Sequence, residues 1–489
     1  MIAACIFGSL ASAPQSAVQA QEQCPAAQCY AQENAREDLR VLYERLKAEH
    51  VDLFARRSQA EYDARFRTLV DAIEGPVPRE RFHLILQELL AFGKVGHVTT
   101  NAPINDVIAK VQNGGTIIPL SITFRDGAMV TDQWAAEGDL LPPGSRITRL
   151  GGLDMPQFEA RVAKILSADT PRLMRAKLEL GFPVYLALIF GDLDAIEVGY
   201  VAPDGSSGET IVPAVGFNQM YALQDARPVP AQPGHPSPRF FEDLGEGVFY
   251  LNPGPFSALE SEKVEGEGAY AIAGFETFVE EAFAAIEASG ASDLLIDLRG
   301  NPGGDASFSD LIVSRIADEP YRQSSRYFVR AGANTRAAWA NREPAGDEGL
   351  GDRIARALAD AQTGAVLEID VPQIAPRSEG RFDGRVWALI DRYSFSNAAV
   401  VAAVLQDHGI ATLIGEETAD LATTYGAVES FTLPHSQAVI EYPKAYMIRP
   451  SGDESIRGVV PDIALEPRAI GEAEDTMLRS ATAAITAAR

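Results

Sequence analysis

The chain has 489 residues, a formal net charge of −26 and 46% hydrophobic residues. That length is enough for two or three domains with sizeable cores, and the acidity disfavours nucleic acid and anionic membrane surfaces as partners. After the first residues no segment has the uninterrupted apolar length of a membrane span, and no His/Cys/Asp/Glu grouping has zinc-ligand spacing, so no integral membrane segment, metal or other cofactor is expected.

Residues 1–20 carry no charge, hold an apolar stretch from Ile2 to Ala13 and end Ala17-Val18-Gln19-Ala20, small where a signal peptidase reads. They read as a secretory signal peptide without the usual basic start, which directs the mature protein to the periplasm or the exterior. Its removal leaves Cys24 and Cys29, a pair compatible with a disulfide in an oxidising compartment and equally with two free thiols.

Residues 21–112 form a helical cap. Helical periodicity runs through Leu39–Leu46 and Tyr62–Ile73, breaks at Gly75-Pro76-Val77-Pro78 and resumes from Arg81 to Phe92. The loop Gly93-Lys94-Val95-Gly96-His97-Val98-Thr99 follows, and a lone histidine between glycines is ordinarily structural. The other histidines, His50, His83, His235, His408 and His435, lie in amphipathic, helix-ending or proline-containing stretches and are read as structural too.

Residues 113–227 are β-rich. Pro142-Pro143-Gly144, the strand Ser145–Leu150, the turn Gly151-Gly152 and a helix from Gln157 to Leu166 resemble the middle of a PDZ domain, which implies peptide binding by strand addition. A structural β-rich insert is the alternative. Pro228–Pro238 reads as a linker.

In residues 228–489 two segments carry the chemistry. Leu294-Leu295-Ile296-Asp297-Leu298-Arg299-Gly300-Asn301-Pro302-Gly303-Gly304 and Val386–Ala399 are apolar strands that run into a tight turn and then a helix. Each turn therefore lies at the carboxyl end of a buried strand, and two such turns can form one site. Ser396 stands before the helix Ala398–Gln406, where unpartnered N–H groups and a positive dipole would meet an oxyanion. Serine is also a favoured helix cap, and most serines so placed do nothing else. Asn301-Pro302-Gly303-Gly304 lets the backbone approach a ligand closely, yet it has neither the spaced glycines of a dinucleotide site nor a P-loop Gly-Lys-Ser/Thr. Ser394, two residues before Ser396, is expected to face the opposite way.

These segments, together with Gln406-Asp407-His408-Gly409, Leu413-Ile414-Gly415-Glu416-Glu417-Thr418 and Gly458-Val459-Val460-Pro461-Asp462-Ile463 in that order, resemble the tail-specific or C-terminal processing serine peptidases over residues 245–467. The resemblance implies an α/β fold: a crotonase- and ClpP-like core of stacked β-β-α units, with the helical cap and the PDZ-like domain before it. It further implies Ser396 as nucleophile, N–H groups of Gly303 or Gly304 and of Asn397 as oxyanion hole, and a peptide or protein substrate.

One departure bears on mechanism. Family members with a Ser-Lys dyad keep a lysine in the stretch that here reads Glu417-Thr418-Ala419-Asp420-Leu421-Ala422-Thr423-Thr424-Tyr425-Gly426. Lys444, on the expected strand Val439–Met447, reads as a solvated face residue. The Gly96-His97-Val98 element is similar to that of the branch resembling the tricorn core protease and the interphotoreceptor retinoid-binding protein. That likeness implies His97 as general base and Glu454 as its supporting acid, with Asp453 the competitor. Imidazole titrates near neutrality, so it can take the serine proton and return it to the leaving amine, with activity rising through a pKa near the ordinary histidine value. The expected function is a secreted or periplasmic serine endopeptidase that works through an acyl-enzyme on Ser396. A non-catalytic ligand- or peptide-binding protein and a hydrolase of non-peptide esters or amides are the other readings, because fold does not fix substrate.

Overall fold

The computed structural model describes residues 28–135, 140–226, 239–264, 268–340, 349–470 and 474–489. The expected signal peptide, Cys24 and the Pro228–Pro238 linker lie outside them. Cys29, in the short strand Cys29–Tyr30, is disulfide-bonded.

The strands Asp293–Asp297 and Arg385–Ile390 pair in parallel, Leu294 opposite Val386 and Asp297 opposite Leu389. They read as near-continuous apolar runs because both of their faces are covered. Leu294, Ile296, Val386 and Ala388 pack under the helices Ala273–Ser289, Ala306–Ile316 and Asn397–Asp407. Leu295, Trp387 and Leu389 pack on the other face against Met477, Ala481 and Ile485 of the helix Thr476–Ala487. The sheet has six strands in the order Phe240–Asp243, Val248–Asn252, Asp293–Asp297, Arg385–Ile390, Thr412–Gly415 and Ile463–Ala464, all parallel but for the first pair. Adjacent parallel strands in register place their carboxyl-end turns side by side, and each fully buried leucine or isoleucine contributes roughly 1.5–3 kcal/mol to holding that register.

A second sheet is antiparallel, in the order Val366–Ile369, Arg326–Arg330, Val439–Ile448, Thr424–Thr432. Its Tyr425, Phe431, Ile440 and Tyr442 share one hydrophobic cluster with Leu39, Leu42, Leu46, Leu86 and Leu90 of the cap helices Gln32–Glu49 and Arg79–Phe92. The cap is thus fused to this sheet, and the loop holding His97 is stitched to it where Thr99 and Glu441 exchange both backbone hydrogen bonds, at 3.1 and 2.9 Å. The expected solvated face at Lys444 does not exist. Strand Val439–Ile448 is covered on both sides near its middle, so Lys444 is 5% exposed, donates to Glu429 at 2.7 Å and lies 4.8 Å from the centroid of the Trp339 ring.

The second block is an antiparallel sheet in the order Leu120–Arg125, Ala128–Ala135, Arg146–Leu150, Ala195–Val201, Ser207–Pro213. The helices Met155–Ile165, Pro171–Leu180 and Phe182–Phe190 bury Phe158, Leu178, Phe182 and Leu186 in its core. Helix Pro171–Leu180 reaches beyond this domain: Leu173 and Ala176 pack on Ala419, Tyr393 and Phe395, beside Ser396. At the same junction Phe124, on the sheet's outer strand, donates its N–H to Glu179 and accepts from the Arg392 guanidinium at 3.0 Å.

Candidate active site

Ser396 has φ 54° and ψ −125° at the start of helix Asn397–Asp407, and its side chain makes no capping hydrogen bond. An L-residue in this conformation costs about 1–3 kcal/mol and persists only where its surroundings impose it. A serine on a strained strand-to-helix turn is pushed out of the backbone path, with its Oγ presented at the top of the sheet. Phe395 N–H donates to Asn301 O at 2.9 Å, and Ser396 N–H donates to Asp420 Oδ2 at 2.6 Å. Asp391 joins the two turns by accepting the N–H groups of Gly300 at 3.1 Å and Tyr393 at 2.9 Å. Ser394 points the other way: fully buried, it donates to Leu298 O at 2.8 Å. Burial pushes the carboxyl of Asp420 up to about 6, against the pull of the Ser396 and Leu421 N–H groups and the Lys177 cation.

Gly303 has φ 89°, and a Cβ there would lie 2.7 Å from Ser396 Cβ and 2.6 Å from Asn397 N, so only glycine lets the first turn close on the second. Its own N–H is directed at Asn301 Oδ1, 2.8 Å away, rather than toward Ser396. Among the described residues the N–H groups of Gly304 and Asn397 donate to nothing. Those two, flanking Ser396, are the available oxyanion donors.

His97 is 7% exposed, and neither ring nitrogen has a hydrogen-bond partner among the described residues. The ring stacks on Phe395 with centroids 4.8 Å apart and planes at 22°, which places the imidazole beside the nucleophile turn without a bond to the serine. Burial, and then the Lys177 cation, push His97 down to about 4 against the opposing pull of Asp169, so the ring is unprotonated at physiological pH. Gly96 N–H donates to Asp169 Oδ2 at 2.7 Å, and Lys177 Nζ donates to Gly96 O at 2.7 Å and Ser167 O at 3.1 Å.

Glu454 is exposed, and its carboxylate meets the Tyr446 hydroxyl at 3.5 Å instead of His97. Asp453 is turned inward on its own loop, where it accepts the Ser455 N–H and hydroxyl, both at 2.9 Å. The structure therefore gathers Ser396, Gly303, Gly304, Asn397 and His97 and leaves both acids of that turn apart. Three charged residues at the site escape sequence reasoning. Asp420 lies in the stretch searched for a lysine, and its one signal is a carboxylate set among Ala419, Leu421 and Ala422. Asp169 and Lys177 have no local signal, since they arrive from the second block by packing.

A strained serine, two free N–H donors and a neutral imidazole are groups that a serine hydrolase uses, and residues 269–465 match the model of peptidase family S41. Over that stretch the chain is similar to the serine peptidases of that family. Among solved structures, mature CPAF aligns with a TM-score of 0.59 at 14% identity, covering 89% of this chain and 93% of that one. Mature CPAF complexed with lactacystin aligns with a TM-score of 0.60 at 14% identity over 94% and 97% of the two chains. At such identity the likeness establishes the fold. No curated protein sequence matches the chain.

Proposed function

We propose that the chain is an endopeptidase of the periplasm or the exterior, in which Ser396 forms an acyl-enzyme with His97 as general base. The observation that carries this reading is a strained, uncapped serine between the free N–H groups of Gly304 and Asn397, one aromatic ring away from a buried imidazole with both nitrogens unpartnered. Catalytic hydrogen bonds are often loose before substrate binds, so the ring turns onto Oγ when a peptide fills the site. Oγ then attacks the carbonyl carbon as the imidazole takes its proton, and the oxyanion is received by Gly304 and Asn397. Collapse expels the amine, to which the imidazolium returns the proton; water repeats the sequence to release the acid. The leader-like residues 1–20 and the disulfide at Cys29 support an oxidising compartment. The PDZ-like sequence pattern supports a role for residues 113–227 in presenting peptide.

A fluorophosphonate probe tests the assignment: covalent labelling at Ser396 is expected, lost in Ser396→Ala. No labelling would favour the non-catalytic binder, and labelling of another residue would point to a different nucleophile. Lactacystin, held by CPAF, is a second probe. Cleavage of unfolded casein against a simple ester then separates the peptidase from a non-peptide hydrolase.

A further inference from the structure

The residue before His97 is held at both of its backbone polar groups by side chains from another domain. Asp169 Oδ2 takes the Gly96 N–H and Lys177 Nζ takes the Gly96 carbonyl, each at 2.7 Å. Gly96 is hemmed in so closely that a Cβ would come within 2.8 Å of Leu173 Cδ2 and 2.9 Å of Asp169 Oδ2. Lys177 Nζ also lies 5.0 Å from the centroid of the Phe395 ring on which His97 stacks. We propose that Asp169 and Lys177 are the positioning residues of His97, gripping the Gly96 peptide units from the second domain so that the imidazole stands at the nucleophile turn only while that domain is docked.

The grip uses charges where neutral groups would have been easier to bury. The Asp169 side chain is 1% exposed, Arg56 lies 3.9 Å away, and among the described residues its Oδ1 has no hydrogen bond. Such a carboxylate costs several kcal/mol to keep in place unless something compensates it. A buried carboxylate oxygen and two buried ring nitrogens, all without partners among the described residues and on either side of Gly96, are what a site holds in reserve for a proton that arrives during the reaction. The imidazolium formed when His97 takes the serine proton is favoured by Asp169 and opposed by Lys177, whose charge is in turn steadied by Asp420 and Glu441. His97 is thus balanced between opposite charges from one domain. This inference rests on the peptidase reading for its purpose, though its test does not.

The experiment follows the ring signals of His97 by NMR in the full chain carrying Ser396→Ala, with the resonance assigned by its loss in His97→Gln. Lys177→Met is expected to raise the His97 pKa by about one pH unit, and adding Asp169→Asn to that background to lower it again by a similar amount. In the chain with its serine intact, each single substitution is expected to slow fluorophosphonate labelling of Ser396 at least about tenfold, the cost of a misplaced base. A purely structural role would slow labelling without opposed titration shifts. Shifts that are absent, or that run in the same direction, overturn the proposal. Opposed shifts in a protein that does not label uphold it and overturn the peptidase reading alone. If either variant fails to fold, Lys177→Gln and Asp169→Ser carry the same measurement.

Discussion

The turn of Ser396 and the turn of His97 meet at one ring, Phe395, yet they are held in different ways. The serine turn is secured by its own sheet: parallel strands in register, Asp391 bridging the two loops, Asn301 O on Phe395 N–H. The histidine turn is bridged to a sheet through Thr99 and Glu441 and buries Val95 and Val98 in the cap cluster, but Gly96, next to the histidine, is held by side chains of a distant segment. The proposed nucleophile, fixed by its own sheet, and the proposed base, fixed by packing from a distant segment, can be perturbed separately.

Ser396→Ala is the sharpest cut on the serine side. It should abolish probe labelling and turnover while leaving the melting temperature nearly unchanged, because the backbone supports remain; residual turnover would point to another nucleophile. On the other side, His97→Gln should lower turnover about a thousandfold or more, on the general scale of lost triad members. Asp420 sharpens the comparison, since its carboxylate holds the Ser396 N–H. Asp420→Ala should slow labelling about 10–100-fold and Asp420→Asn much less, because an amide oxygen accepts the same bond; equal losses would show that its charge matters rather than its acceptor.

The pH profile separates the two turns further. His97 is depressed below the ordinary 6.5, so its basic form persists as pH falls and activity should rise through a midpoint below 6.5, toward 4. Asp420, raised to about 6, titrates over the same interval, so Asp420→Asn should leave a simpler limb that belongs to His97. A midpoint at or above 6.5 in that variant would show that the imidazole is not buried as described. The smallest effect is expected from Glu454→Gln, less than about threefold, since its carboxylate meets Tyr446 and not the base. A loss approaching that of His97→Gln would mean that Glu454 swings inward during turnover.

The fold of the core was legible because both strands are buried on two faces and announce themselves as apolar runs ending in Gly300 and Asp391. The serine turn was legible for the same reason: strand, polar turn and alanine-rich helix are contiguous. Gly303 was readable as a close-approach glycine, but the direction of its N–H depends on Asn301 Oδ1, which spacing does not disclose. Lys444 misled because alternation along a strand assumes one wet face, and the packing of Trp339 removes it. Asp169 and Lys177 were invisible for a deeper reason. Their relation to His97 is created by packing between segments distant in the chain, and no pattern local to either segment records it.

The backbone at Ser396 also bears on how this chain would change if freed from its task. With φ 54° and ψ −125°, position 396 suits a residue without a Cβ, and serine stands there against local preference. Glycine would relieve that strain and remove the proposed nucleophile in one step. Ser396→Gly is therefore expected to melt higher than the parent chain while losing probe labelling, and the difference in melting temperature measures what the fold gives up to hold a side chain at that turn.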